Sequence, residues 1–207
     1  QVDMSKGNWL VLSSANYFLD DAKDLCEIQG WYYQFKGRNS IPLKLLMALN
    51  NWEAWRKDAQ LNHLEIKNIY EYLGSHVLPG FQKGKTLHSD TKYLMRDCRA
   101  EHGLVTDSVW YEAFEGLDPM TETYIRNMRA NGEMINKNPR IIMSTIHGAK
   151  GGEADKVLLM QDITNAALET FSHDPDELHR LFYTGATRAK RELHVLDPKD
   201  FDRAYIL

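Results

Sequence analysis

The chain has 207 residues, which is enough for one ordinary domain or for one domain with a sizeable insertion. Its hydrophobic fraction of 43% and charged fraction of 26% are those of a globular protein. The formal net charge of −4 excludes binding of nucleic acid through overall charge, so any contact with phosphates needs a local cluster of Lys and Arg.

Two further features bear on the compartment. No apolar run approaches the roughly 18 residues of a membrane span, and no charged-then-apolar leader is visible. Cys26 and Cys98 form no CxxC pair, so we expect no disulfide framework and a cytoplasmic protein. The first residue is Gln1 rather than Met, which suggests a fragment of a longer protein.

The first forty residues predict a strand, a helix and a strand. Residues 9–13 are short and apolar, which indicates a buried strand. Apolar residues recur at helical spacing over 15–28, and Gly30 is placed to end that helix. The aromatic stretch 31–35 is typical of another short strand.

The middle of the chain predicts helices rather than strands. Pro42 can open a helix, and Asp118-Pro119 supplies a cap and a proline at the first helical position. Trp52 and Trp55 recur at helical spacing and are expected in the core. Helical spacing continues over 64–73, 91–99 and 109–114, with a loop at 74–88 and a stop at Asn131-Gly132.

Strand signals return after residue 138. Strands are predicted at 140–146, 156–160 and 193–196, and a helix opens at Asp174-Pro175 and continues through Ala189. Strands separated by helices favour an α/β fold with a parallel sheet. We therefore predict a sheet domain from residues 1–40 and 138–207, interrupted by a mostly helical insertion at 41–137.

The stretch IMSTIHGAKGGE (residues 142–153) joins an apolar strand to a glycine-rich loop. It is expected at the carboxyl end of a strand, where ligands collect in α/β folds. The loop is not a P-loop, because its lysine precedes the glycine pair, and no GxxxxGK[ST] occurs elsewhere. The alternative is that the glycines only shape a turn and that the polar residues are solvated.

A second group of residues lies on the helix that opens at Asp174. Arg180, Thr184 and Arg188 share one side of it at helical spacing, and small residues at 185, 186 and 189 allow close packing on a neighbour. Either these arginines are simply solvated, or Arg188 is presented to a phosphate as an arginine finger.

The segments TIHGAKGGEAD and LFYTGATRAKREL resemble motifs V and VI of superfamily 1 helicases of the UvrD/Rep type. The residues that match the two motif patterns are Thr145, His147, Lys150, Gly151 and Glu153, then Tyr183, Thr187, Arg188, Ala189 and Lys190. Residues 11–37 are similar to the segment after motif IV, although an arginine common there is Ser14. The resemblance implies a second RecA-like domain with a reduced accessory subdomain inserted.

The resemblance also implies roles for these residues. Arg188 would reach the γ-phosphate of ATP, and Gly151 and Glu153 would lie at the nucleotide. Lys150 would lie at the nucleotide or at the single strand. Thr145, His147 and Thr187 would contact single-stranded DNA or couple it to the ATP site. The P-loop and the Mg²⁺ ligands would belong to an N-terminal RecA-like domain of the same protein.

The full-length protein would then be an ATP-dependent DNA helicase that unwinds 3′ to 5′. Its partners would be single-stranded DNA and duplex junctions, and it would act as a monomer without a membrane partner. Basic residues of the insertion that could contact DNA, or form only a solvated face, are Lys83, Lys85, Lys92, Arg96, Arg99, Arg126 and Arg129.

Two other classes of protein remain as alternatives. The first is a non-catalytic RecA-like module that binds DNA or a partner. Such a module would not need the intact run Thr187-Arg188-Ala189-Lys190, which contains the proposed arginine finger. The second is a metal-dependent hydrolase built on His173 and His179. Its spacing matches no HExxH site, and Asp174 with Glu177 suggests a capping box instead, so we expect no metal site.

Overall fold

The structure is a computed structural model that describes residues 2–133, 138–149 and 151–207. Contacts divide the chain into two units: one contains the residues up to Ser40 and from Tyr124 onwards, and the other is Ile41–Thr123. The first unit contains a six-stranded sheet. Its strands are β1 (Trp9–Ser13), β2 (Tyr33–Phe35), β3 (Arg38–Asn39), β6 (Ile141–Thr145), β7 (Ala154–Met160) and β8 (Ala189–Leu196). Their order across the sheet is β3-β2-β6-β1-β7-β8.

The central strand β1 is buried on both faces. It pairs in parallel with β6 on one side and with β7 on the other, while β2 and β8 extend the parallel sheet outwards. The short β3 pairs antiparallel with β2 at the edge. Every residue of β1 is buried, as expected for a strand in the middle of a parallel sheet. The predicted α/β, RecA-like class of fold is confirmed.

Helices flank this sheet. They are α1 (Asp20–Gln29), α6 (Pro119–Ala130), α7 (Asn165–His173) and α8 (Pro175–Ala186). On one face, Leu10 and Leu12 of β1 form a core with Leu159 of β7 and with Leu178 and Phe182 of α8. Helix α8 therefore covers the centre of the sheet and runs back from the carboxyl end of β7 towards the start of β8.

The structure differs from the prediction at the end of α8, at an additional helix, and at the cap of α8. Helix α8 ends at Ala186, and β8 already begins at Ala189, because Ala189 pairs with Ala154 of β7. The helix α7 was not predicted, although Thr164 caps it by accepting a hydrogen bond from the backbone of Ala167. The expected capping box at α8 is also different: Asp174 accepts from the Asp176 N–H instead.

The second half of α6 lies in the sheet unit, although residues up to 137 were assigned to the insertion. The buried Tyr124 donates its hydroxyl proton to the carbonyl of Trp31, just before β2. The side chain of Asn127 donates to the carbonyl of Ile28 in α1. These bonds tie α6 to α1 and β2, so the unit boundary falls at residue 124.

The second unit is helical with one small sheet. Its elements are α2 (Leu43–Trp55), α3 (His63–Tyr70), α4 (Met95–Glu101), α5 (Trp110–Ala113) and the antiparallel pair β4 (Leu61–Asn62) and β5 (Lys92–Tyr93). Trp52 and Trp55 are buried, as predicted, and donate their indole N–H groups to the carbonyls of Ser108 and Tyr93. Across the described residues of both units, no helix has the length and apolarity of a membrane span.

Candidate functional site

The glycine-rich loop crosses the face of the sheet. It leaves the carboxyl end of β6 at Thr145 and must reach the amino end of β7 at Ala154, with β1 lying between the two strands. Ile146 and Ala149 of the loop are buried in the core beside Leu10 and Leu12. At 3.3 Å per residue, the strand register separates the two ends of the loop by about 20 Å.

Thr145 holds the first turn of the loop. Its hydroxyl accepts a hydrogen bond from the Gly148 N–H at 3.1 Å, and its carbonyl accepts from the Ala149 N–H at 3.0 Å. His147 projects from this turn and is exposed. The Thr145 side chain therefore shapes the turn at the carboxyl end of the sheet, while His147 is open to a ligand.

The second half of the loop brings Gly151 and Glu153 to the opposite end of the sheet. Gly151 has a φ of +85°, which favours glycine, and Glu153 is exposed just before β7. Lys150, which was predicted beside the nucleotide, lies outside the described residues. The loop leaves the carboxyl end of β6 as expected, and its path across the sheet then places Glu153 at the amino end of β7.

Arg188 lies between the end of α8 and the start of β8. Its N–H donates to the carbonyl of Gly185 at 3.2 Å, and its carbonyl accepts from the Ala154 N–H at 3.2 Å. Its Nε donates to the carbonyl of Thr184 at 3.0 Å. The prediction that Arg188 continues the helix is wrong, because its backbone already bonds to β7.

Close packing of α8 on the sheet supports this position. A Cβ on Gly185 would lie 3.1 Å from the Cδ1 of Leu159 and 3.4 Å from the side chain of Ile146. The exposed Thr187, predicted as a coupling residue, donates its hydroxyl proton to the Thr184 carbonyl at 3.0 Å. Thr187 thus closes the last turn of α8 directly before Arg188.

Ion pairs link the amino ends of β7 and β8. Lys190 lies 3.5 Å from Glu153, Arg191 lies 3.7 Å from Asp155, and Lys156 lies 3.1 Å from Glu192. The hydrogen bond from Lys156, followed by that from His194, holds the pKa of Glu192 below its usual value. Lys190 and Glu153, 37 residues apart in sequence, are therefore neighbours.

Two grooves adjoin these residues within the sheet unit. The larger, of about 820 Å³, extends along the sheet from Thr145 to Glu153 and Lys190, with the half-exposed Ile142 on its floor. The smaller, of about 300 Å³, lies between the loop and α8 and is lined by His147, Arg180 and Thr184, among others. The proximity of Arg180 to His147 could not be read from the sequence.

The described residues contain no group of three His, Cys, Asp or Glu side chains that could hold a metal ion. His179, considered for a metal site, has its Nδ1 atom 2.6 Å from the hydroxyl of Tyr205, and Tyr205 stacks on Phe182. This contact attaches the end of the chain to α8.

The parallel sheet, the glycine-rich loop that crosses it between β6 and β7 (the crossover loop) and α8 define a RecA-like α/β domain. Residues 115–197 match the family model of the UvrD-like helicase C-terminal domain. This match confirms the resemblance to the C-terminal domain of UvrD/Rep-type helicases and supports a helicase-related function for that part of the chain. It includes α6, the crossover loop and α8, and it does not extend to residues 1–114. No curated protein matches the chain.

Proposed function

We propose that the chain is the C-terminal part of an ATP-dependent DNA helicase or translocase. In this proposal Arg188 acts as the arginine finger towards ATP bound by an N-terminal RecA-like domain of the same protein. The observation that carries the proposal is the anchoring of Arg188: its backbone and Nε bond to α8 and β7. Among the described residues, no acceptor meets its two Nη groups.

An anchored arginine suits this role on physical grounds. The guanidinium group is planar and always charged, and it offers paired donors to the oxygens of a phosphate. Because its stem is already ordered, little side-chain entropy is lost when the Nη groups bind the transferring phosphoryl group. Such arginines raise turnover by on the order of 10³ or more in related nucleotide hydrolases.

The neighbouring loop would contact the rest of the nucleotide. Glu153 is an exposed carboxylate that could accept a hydrogen bond from a ribose hydroxyl, and Gly151 and Lys150 would lie nearby. The described residues offer no convergent set of Mg²⁺ ligands. In this proposal the Mg²⁺ ligands belong to the N-terminal domain, as the helicase resemblance implies, and no step is assigned to the metal here.

Single-stranded DNA would pass the other end of the sheet. Thr145 and His147 lie at the carboxyl end of β6, about 20 Å along the strands from Glu153. The helix α8 connects the two ends, and Thr187 closes it next to Arg188. We propose that this helix couples DNA contact to ATP turnover and that the full-length protein unwinds in the 3′ to 5′ direction.

The test is Arg188→Ala in the full-length protein, with Arg191→Ala as a matched control. Arg191 lies three residues away on β8 and its side chain is 77% exposed. We expect Arg188→Ala to retain ATP affinity within a few-fold and to lose on the order of 10³ in DNA-stimulated turnover. Arg191→Ala should change neither quantity by more than about twofold, because exposed ion pairs contribute little.

Normal turnover in Arg188→Ala would refute the finger assignment. DNA binding without any ATP turnover in the unaltered full-length protein would favour the non-catalytic module instead. The isolated 207 residues should hydrolyse ATP only at background, with or without DNA. Stimulated hydrolysis by the isolated chain would refute the assignment of the P-loop to another domain.

A further inference from the structure

The edge strand β8 has a bulge where it begins to pair with β7. Between two successive pairs of this ladder, β7 has one residue, Asp155, and β8 has two, Lys190 and Arg191. The register of the two strands therefore shifts by one residue at this point. Bulges are found preferentially at sheet edges and next to active sites, where they re-aim a side chain. This bulge begins two residues after Arg188 in the chain.

The bulge turns two consecutive cations of β8 towards the amino end of β7. Neighbouring side chains of a regular strand point to opposite faces of the sheet. Here the Nζ atom of Lys190 lies 3.5 Å from Oε2 of Glu153, and the Nε atom of Arg191 lies 3.7 Å from Oδ1 of Asp155. The two carboxylates are themselves two residues apart. The extra residue in β8 thus lets Lys190 meet Glu153 while Arg191 meets Asp155.

The ion pair between Lys190 and Glu153 is open to the larger groove. Both side chains line that groove, and about half of each is exposed, 54% for the lysine and 52% for the glutamate. Exposed ion pairs contribute little to stability. Within the part of the chain that the structure describes, no second cation pairs with Glu153. The position of the pair therefore indicates a role towards a ligand rather than towards the fold.

Electrostatics gives the lysine a specific task beside a nucleotide. The phosphates of a nucleotide repel a nearby carboxylate, and this repulsion is stronger beside the protein than in bulk water. An unpaired Glu153 would therefore turn away from the ligand. An ammonium group on Oε2 offsets the charge of the carboxylate and leaves Oε1 to accept a hydrogen bond from the ligand.

We propose that Lys190 is a positioning residue that holds the carboxylate of Glu153 towards a ribose hydroxyl of the bound nucleotide. The lysine acts through Glu153 and does not contact the nucleotide. This rests on the proposed function, in which Glu153 accepts a hydrogen bond from the ribose. A site that is built to bond a hydroxyl rejects a ligand that lacks it. The pair of Lys190 and Glu153 therefore selects ribonucleotides over deoxynucleotides.

The experiment measures the affinity of the full-length protein for ADP, 2′-deoxyADP and 3′-deoxyADP by isothermal titration calorimetry. ADP is the product of hydrolysis and has no γ-phosphate, so neither turnover nor the contact from Arg188 enters the measurement. We expect at least one of the two deoxy analogues to bind about tenfold more weakly than ADP or worse. This is the effect of losing one hydrogen bond to a charged group.

Lys190→Met removes the ammonium group and keeps an unbranched side chain. It should weaken the binding of ADP about tenfold and change the affinity for the rejected analogue by less than about twofold, because only the hydroxyl contact depends on Glu153. Lys190→Arg keeps a cation that pairs with carboxylates and should retain the preference for ADP. The matched control is Arg191→Met, which removes the other cation of the bulge and should retain that preference too.

A second variant separates positioning from direct contact. In Glu153→Gln the amide is neutral and is not repelled by the phosphates. The addition of Lys190→Met to Glu153→Gln should therefore change the affinity for ADP by less than about twofold. Equal losses for ADP and both analogues in Lys190→Met, or the same loss with and without Glu153→Gln, would overturn the proposal, because the lysine would then contact the nucleotide itself.

Three other results would also overturn the proposal. They are the absence of any preference for ADP in the unaltered protein, an unchanged preference in Lys190→Met, and an equal loss of preference in Arg191→Met. The finger assignment fails on a different measurement, which is normal turnover in Arg188→Ala. A full preference for ADP in Glu153→Ala would refute the ribose contact and the role of Lys190 together, whereas an unchanged Lys190→Met refutes the role of Lys190 alone.

Discussion

Gly30→Ala tests the packing that assigns the end of α6 to the sheet unit. Gly30 ends α1 with a φ of +67°, and it accommodates no side chain. A Cβ there would lie 2.5 Å from the backbone carbon of Asn127 and 2.7 Å from the backbone nitrogen of Met128. Backbone atoms cannot swing aside, so α1 and α6 would have to separate.

The magnitude follows from two contributions. The left-handed conformation costs a residue with a Cβ about 1 to 2 kcal/mol. Overpacking against a neighbouring element costs typically about 1 to 3 kcal/mol more. The sum of about 2 to 5 kcal/mol is a large part of the total stability of an ordinary domain, which is about 5 to 15 kcal/mol.

Gly37→Ala is the control that separates these contributions. Gly37 has a φ of +73° and nothing within 4 Å of an added Cβ, so only the conformational cost applies. Urea unfolding followed by circular dichroism gives both free energies. Reactivity of the Cys26 thiol at about pH 8 reports on α1 directly, because burial raises the pKa of Cys26 to about 12 and shields it from reagents.

Gly30→Ala should therefore destabilise the chain by at least about 1 kcal/mol more than Gly37→Ala and should expose Cys26 at lower urea. Equal losses in the two variants would refute the reasoning. The end of α6 would then not pack on α1, and the boundary between the two units would lie nearer residue 138, where the sequence suggested it.

Two further changes test other parts of the structure. Arg140→Ala should lower the free energy of urea unfolding by about 3 kcal/mol, because it leaves the nearly buried Glu133 without its partner at 2.6 Å. Replacing both residues by apolar ones should recover most of that loss. An unchanged free energy in the single variant would contradict this prediction. Asp118→Ala should destabilise more at about pH 7 than at about pH 3. Hydrogen bonds from Thr121 lower the pKa of the Asp118 carboxyl. The stability that this carboxylate contributes is therefore present above the usual carboxyl pKa and is lost as the pH falls through the lowered value. An equal loss of stability at both pH values would contradict this prediction.

Local signals in the sequence predicted many element ends correctly. Asp118-Pro119 and Asp174-Pro175 open α6 and α8, and Gly30 ends α1, because capping and backbone preference act within a few residues. The same reading missed the end of α8. Small residues continue past Ala186 with helical spacing, and no local signal marks the point where α8 ends and β8 begins to pair with β7.

The candidate site could be predicted only in part for the same reason. The two motifs and their order predict a helicase C-terminal domain, and residues 115–197 match the model of that family, but the roles of Arg188 and Glu153 stay predictions. Their proximity depends on the crossover loop, which carries Glu153 from one end of the sheet to the other. A loop of eight residues after a strand looks like a turn at a carboxyl end, and the strand order alone reveals that it crosses the face.

The sequence by itself determined the class of fold, the core strand Trp9–Ser13 and the residues that match the helicase motifs. The class of fold and the core strand depend on periodicity and spacing, and the motif residues depend on a family resemblance. All of these are properties of short segments. Only the tertiary structure decided that Arg188 joins Ala154 through a hydrogen bond and that Lys190 pairs with Glu153. These contacts join residues 34 and 37 positions apart, and the register and packing of whole elements determine which residues meet.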